Sequence, residues 1–185
     1  MKYIKALSLS AALLCTIIGG TSASTIKKPL PTAMAEIINT SGEKIGSAHF
    51  TQGKNGVLVH IKVSKLTPGA HGIHLHSTGQ CDKSTGFKSA KGHVGLVKDG
   101  HGILNAMGPE AGDIPNIFVG ENGVGEMEVH ATMVSLVDGE YNLFDADGSA
   151  VVIHADADDH FSQPIGNSGG RVACGVIVPI KQSIN

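Results

Sequence analysis

From residue 35 onward, apolar positions come in short runs that alternate with polar ones, and turn residues separate the runs. Successive side chains of a strand point to opposite faces, so this alternation predicts strands with one buried face. The pattern places eight, over residues 35–39, 46–51, 57–63, 72–76, 117–119, 125–131, 150–154 and 172–178. Thr-Pro-Gly (67–69), Glu-Asn-Gly (121–123), Val-Asp-Gly (137–139) and Asp-Ala-Asp-Gly (145–148) break them apart. Eight short strands at that spacing predict an all-β antiparallel sandwich or barrel. Two stretches stay outside the pattern, residues 77–116 and 155–170, and they hold most of the chemically interesting side chains. Long loops on a rigid scaffold are where sites are built.

The first residues read differently. Lys2 and Lys5 precede an apolar run over residues 6–18 and small residues over 21–24, which is the layout of a secretory signal peptide. The expected division is a signal peptide over residues 1–24 and one domain over 25–185. The apolar run is short for a membrane span, so no membrane attachment is expected after cleavage. Export, with the periplasm as destination, is the expected location. Composition agrees with β structure: 25 glycines, no tryptophan and 4% aromatic residues. Removing Lys2 and Lys5 takes the formal net charge from -2 to -4, which argues against a nucleic-acid partner. Cys15 would leave with the signal peptide, and the two remaining cysteines, Cys81 and Cys174, suggest one disulfide in an exported chain.

The histidines carry the chemistry. In His-Leu-His (74–76), His74 and His76 share one strand face while Leu75 faces the core. His93 and His101 lie in the following loop, and His154 ends a run of β-branched residues. Several imidazoles in an exported chain suit copper or zinc better than magnesium or calcium, with acid-base or pH-switch use left open. His49, His60 and His130 sit on strands and are expected at the surface, and His71, of opposite parity to His74, is not expected to bind metal.

Gly-Ile-His-Leu-His (72–76), Gly-His (92–93), Gly-Asp-Ile-Pro (112–115), Val-Val-Ile-His-Ala-Asp-Ala-Asp-Asp (151–159) and Gly-Gly-Arg-Val-Ala-Cys-Gly-Val-Ile (169–177) resemble the copper/zinc superoxide dismutases, particularly exported bacterial ones. The resemblance implies an eight-stranded Greek-key barrel with two long metal-binding loops outside it. It implies copper on His74, His76, His93 and His154, and zinc on His93, His101, residue 110 and Asp113, with His93 shared. Asp158 would orient His74 and His101 from behind, Arg171 would guide the anion, and Cys81 and Cys174 would form the disulfide.

The implied activity is dismutation of superoxide to oxygen and hydrogen peroxide. The alternative is a copper store or delivery protein with little turnover. Monomer and homodimer both stay open. This chain departs from the family at Glu110, where a histidine is expected, and at Val94-Gly95-Leu96, which replaces a polar, proline-containing segment. Zinc accepts carboxylate oxygen, so Glu110 is a chemically reasonable ligand, and a copper-only protein is the other reading. His160 is a candidate substitute ligand for the altered site. Lys83, Lys88, Lys91 and Lys98 could steer an anion or simply be a solvated face.

Overall fold

The computed structural model describes residues 30–181, so the signal-peptide expectation lies outside the described residues. Ten strands follow one another: β1 (Thr32–Asn39), β2 (Lys44–Gly53), β3 (Gly56–Val63), β4 (Gly69–His71), β5 (Ile73–His76), β6 (Ile117–Val119), β7 (Gly125–Ala131), β8 (Ala150–His154), β9 (Arg171–Val176) and β10 (Val178–Pro179). Every pairing is antiparallel. The order is β4-β6-β7-β3-β2-β1-β9-β8-β5, with β10 added on β1. The two ends of that order, β4 and β5, are separated in sequence by Gly72 alone. One continuous segment, Gly69–His76, therefore forms both edges and brings the sheet nearly closed. Counted as one strand, it leaves eight strands on the path, as the alternation predicted. The predicted strand at 172–178 ends instead at Val176 and resumes as the short β10.

Alternation builds the core. Ala33, Ala35 and Ile37 of β1, Ala48 and Phe50 of β2, and Val57, Val59 and Ile61 of β3 are fully buried inside the barrel. β8 differs because both of its faces are covered. Val151 and Ile153 belong to the barrel core, whereas Ala150 and Val152 pack with Phe87, Ala90 and Cys174 beneath the first long loop. That explains the unbroken apolar run, since a strand buried on both faces has no polar side to show. No helix among the described residues is long and apolar enough to cross a membrane.

The long loops are fastened to the sheet by backbone. Val94 N–H donates to Leu75 O, Gly112 N–H to Val94 O and Leu75 N–H to Gly112 O, each at 2.9 Å. This closed triangle adds two loop segments to the outside of β5. It leaves no room at Gly112, where a Cβ would lie 2.2 Å from the Leu75 carbonyl oxygen. At the other end of the first loop, Cys81 and Cys174 form a disulfide spanning 93 residues.

Two outcomes follow from these fastenings. Reduction of the disulfide is expected to lower the unfolding free energy of the metal-free protein by about 4–5 kcal/mol, the loop-closure value for a ring of this size. Urea titrations with and without reductant measure it, and coincident curves would contradict the entropic account. Gly112→Ala is expected to cost about 1–3 kcal/mol, because the blocking atom is backbone and cannot rotate away. An unchanged urea midpoint would show that the loop yields freely.

Candidate metal centre

β5 and β8 lie side by side with Ile73 opposite Ile153 and His76 opposite Ala150. Residues of even number on both strands then face outward, which puts His74, His76 and His154 on one external patch. A register shift between Ile153 and His154 sets Arg171 of β9 directly opposite His154. Such a bulge re-aims side chains at the edge of a site. The docked loops supply the rest: His76 forms an isolated bridge with His93, and His74 with Asp113.

Four imidazoles converge there. One ring nitrogen from each of His74, His76, His93 and His154 lies within 4.8 Å of all the others. His74 Nδ1, His76 Nε2, His93 Nε2 and His154 Nε2 are buried and have no hydrogen-bond partner. Each opposite nitrogen, by contrast, is held: His74 Nε2 by Asp158 Oδ2 at 2.7 Å, His76 Nδ1 by Lys91 O at 2.9 Å, His93 Nδ1 by Glu110 Oε2 at 2.8 Å and His154 Nδ1 by Gly169 O at 3.2 Å. Metal-ligating histidines are normally oriented through their other nitrogen in this way. A buried nitrogen left bare costs about 1–3 kcal/mol, and four such atoms within 4.8 Å of one another could hold a transition metal.

The second cluster begins on the far side of His93. His93 Nδ1 and His101 Nδ1 lie 3.1 and 3.0 Å from Asp113 Oδ1. These two separations, and the 2.8 Å from His93 Nδ1 to Glu110 Oε2, approach the donor–donor edge of about 3.3 Å in a tetrahedron about a metal at roughly 2.0–2.1 Å from each donor. Glu110 is buried, and its other oxygen accepts from Val97 N–H at 3.0 Å. His74, His93, His101 and Asp113 also offer atoms within 4.8 Å of one another. His74 Nε2 is already held by Asp158, however, and its free Nδ1 belongs to the first cluster, while Glu110 Oε2 lies 2.8 Å from His93 Nδ1.

Burial drives His74 down to about 4 and His154 to about 3, and holds His76 well below its ordinary value, so all three rings are neutral and ready to ligate at neutral pH. Burial also opposes charge on His101, but Asp113 and Asp158 outweigh it and lift this residue to about 10. His93 is raised against the same opposition by Asp113 and Glu110. The carboxylates of the second cluster therefore attract positive charge, which a proton supplies when no metal does.

Asp158 links the clusters from behind, meeting His74 Nε2 with one oxygen and His101 Nε2 with the other at 3.2 Å. Its own backbone is clamped by Asn116, whose side chain accepts from Asp158 N–H and donates to Asp158 O, both at 2.8 Å. Gly166 makes room for it, since a Cβ there would overlap Asp158 Oδ1. Asn116, Gly112 and Gly166 carry no metal-binding chemistry of their own, and reading for ligand types passed over them. His160 stands against Asp158 and Asn116, outside both donor groups. His71 is a buried strut between Thr67 O and His154 O, and His60 pairs with Glu126 on the barrel surface, where His49 and His130 are exposed.

Arg171 donates to Phe87 O at 2.7 Å and Lys91 O at 2.6 Å. Both carbonyls belong to the loop that the disulfide ties to β9, three residues beyond Arg171. The guanidinium lines a cavity of about 290 Å³ together with His76 and His93, and no carboxylate among the described residues pairs with it.

The chain has relatives that can be named. The profile of the family Copper/zinc superoxide dismutase (SODC) matches residues 44–177. Superoxide dismutase (Cu-Zn) 1 of Aquifex aeolicus is 46% identical over 145 residues, covering 77% of this chain and 85% of the relative. Superoxide dismutase (Cu-Zn) of Caulobacter vibrioides is 43% identical over 148 residues, 78% of this chain and 84% of the relative. Among solved structures, a double mutant of a SOD-like protein from Bacillus subtilis matches with a TM-score of 0.73 and 38% identity, over 77% of this chain and 95% of that one. The matched span runs from β2 to the end of β9 and takes in both histidine clusters and the disulfide. On that extent of likeness the chain belongs to the copper/zinc superoxide dismutase family.

Proposed function

We propose that the protein is a two-metal superoxide dismutase, with copper on His74, His76, His93 and His154 and zinc on His93, His101, Glu110 and Asp113. The observation that carries this reading is the set of four bare, buried nitrogens, each on a ring whose other nitrogen is tied. An all-imidazole set suits copper in both oxidation states, and a mixed imidazole and carboxylate set suits zinc. Bound copper supplies the one-electron couple by which one superoxide is oxidised to oxygen and a second, with two protons, is reduced to hydrogen peroxide.

The chain provides the remainder. Arg171 draws the anion into the cavity and orients it, its charge free of any carboxylate among the described residues. His93 offers a nitrogen to each cluster, and its Nε2 is the atom at which a proton is held and passed on. Asp158 keeps His74 and His101 in the tautomers that leave their Nδ1 atoms available to metal. A copper store has no use for a cation poised beside the histidines, so Arg171 favours the enzyme. The disulfide fits an oxidising compartment, and the periplasm is the location proposed.

Pulse radiolysis of the copper-loaded protein is expected to show fast superoxide decay that rises further with zinc. Slow decay despite firmly bound copper would overturn the enzymatic reading, and indifference to zinc would overturn the two-metal one. Glu110→Gln is expected to weaken zinc binding at least about tenfold in chelator competition, because even losing an outer hydrogen bond costs about 10–100-fold. An unchanged zinc affinity would remove Glu110 from the ligand set. Asp158→Asn, which can no longer accept from both His74 and His101, is expected to weaken both metals by about 10–100-fold in the same assay.

A further inference from the structure

The outer face of the barrel carries ligand-type side chains that the buried centre does not use. In β2 and β3, Ala48, Phe50, Val59 and Ile61 are buried, so His49 and His60 point outward. The two histidines are direct partners across the β2–β3 ladder, and His60 is in turn the partner of Glu128 on β7. One row across three adjacent strands therefore reads His49, His60, Glu128. In the strand order, β1 and β9 stand between this trio and β8 on one side, and β6 and β4 between it and β5 on the other. The row is thus set apart from both histidine clusters.

Directly opposed residues of an antiparallel pair have Cβ atoms about 4.5–5.5 Å apart. Two imidazoles rising from such positions can each bring a nitrogen to a common metal at roughly 2.0–2.1 Å. The ladder fixes the Cβ atoms, and rotation of exposed side chains does the rest. In the metal-free chain, His60 Nε2 lies 2.8 Å from Glu126 Oε1, and the other Glu126 oxygen meets Lys62 Nζ at 3.2 Å. The His60 and Glu126 side chains are 44% and 49% exposed, and a contact so open to water is weak enough for a metal to replace. Glu126 then stays on Lys62 and offsets its charge, while exposed Glu128 is the carboxylate nearest in register. His130, the next outward residue of β7, is paired with Leu58 and turned toward Gly56 at the end of the hairpin, outside the row.

We propose that His49 and His60, with Glu128 beside them, form a surface site for one divalent transition-metal ion that favours imidazole, zinc or copper(II), separate from the buried centre. Two imidazoles and a carboxylate are a zinc-type donor set, and on an open face they leave the fourth position to water. The ion held there exchanges with solvent more readily than one enclosed by the loops.

The test uses the full chain, first saturated with copper and zinc and then desalted, with zinc alone as the probe. Calorimetric titration is expected to show one further zinc per chain, bound more weakly than the metals of the centre. The imidazole nitrogen resonances of His49 and His60 are expected to shift during the titration while those of His130 stay in place. His49→Ala and His60→Ala are each expected to weaken this binding at least about tenfold, the least that losing even a supporting partner costs a metal site, and Glu128→Gln to weaken it less. His130→Ala is expected to bind as the unmodified chain does. Absence of a further zinc overturns the proposal, as does binding that survives in either histidine variant or falls equally in His130→Ala. Superoxide decay is expected to be the same in all four variants, so the outcome is independent of the dismutase reading.

Discussion

Everything around the centre follows from the need to keep four imidazole nitrogens dry, bare and pointed at one place. Water would satisfy such atoms, and a free ring would turn to find a partner. The fold prevents both by fixing the opposite side of each ring, twice to backbone carbonyls and twice to carboxylates. Those four holds come from distant parts of the chain: Lys91 and Glu110 from the first loop, Asp158 and Gly169 from the second. The Leu75, Val94 and Gly112 triangle and the disulfide fix the first loop, and Gly72 N–H donating to Asp156 O together with the Asn116 clamp on Asp158 fixes the second.

Much of this was legible in the chain. Alternation placed the central strands well, because a half-buried strand prints its two faces on every second residue. His74 and His76 were readable as a pair for the same reason, and the two long loops stood out by lacking the pattern. What escaped was set by tertiary contact. The Gly72 junction reads as the start of one strand, yet it separates two strands at opposite edges of the sheet. The first-loop histidines reach β5 by backbone docking, which leaves no signature in side-chain type. Gly112 and Gly166 matter for the space they leave empty, and Asn116 for two hydrogen bonds to a single residue; no composition rule marks any of the three.

Glu110, the proposed zinc ligand that stands where a histidine was expected, is firmly held. One of its oxygens faces His93 Nδ1 and the other is fixed by Val97 N–H. The residues that replace the usual polar segment therefore contribute to holding it: Val94 joins the docking triangle, and the turn through Gly95, which packs against Ala111, carries the chain to Val97. The loop after His93 and the Glu110 carboxylate thus form one local arrangement. The extra carboxylate also makes the second cluster more attractive to a cation, and the raised His93, to which Glu110 contributes beside Asp113, registers this.

The seam at Gly69–His76 has a wider consequence. The stretch that brings the sheet nearly closed is the one that carries His74 and His76, so loosening β5 from β8 would disperse the histidine cluster and unzip the barrel in one movement. The freed strands would present unpaired peptide groups, and exposed edges of this kind are templates for pairing with other chains. Metal held across β5, β8 and the docked loop would thus act as a clasp on the one place where the barrel can open into a sheet, and protection against self-association would depend on how fully the site is loaded.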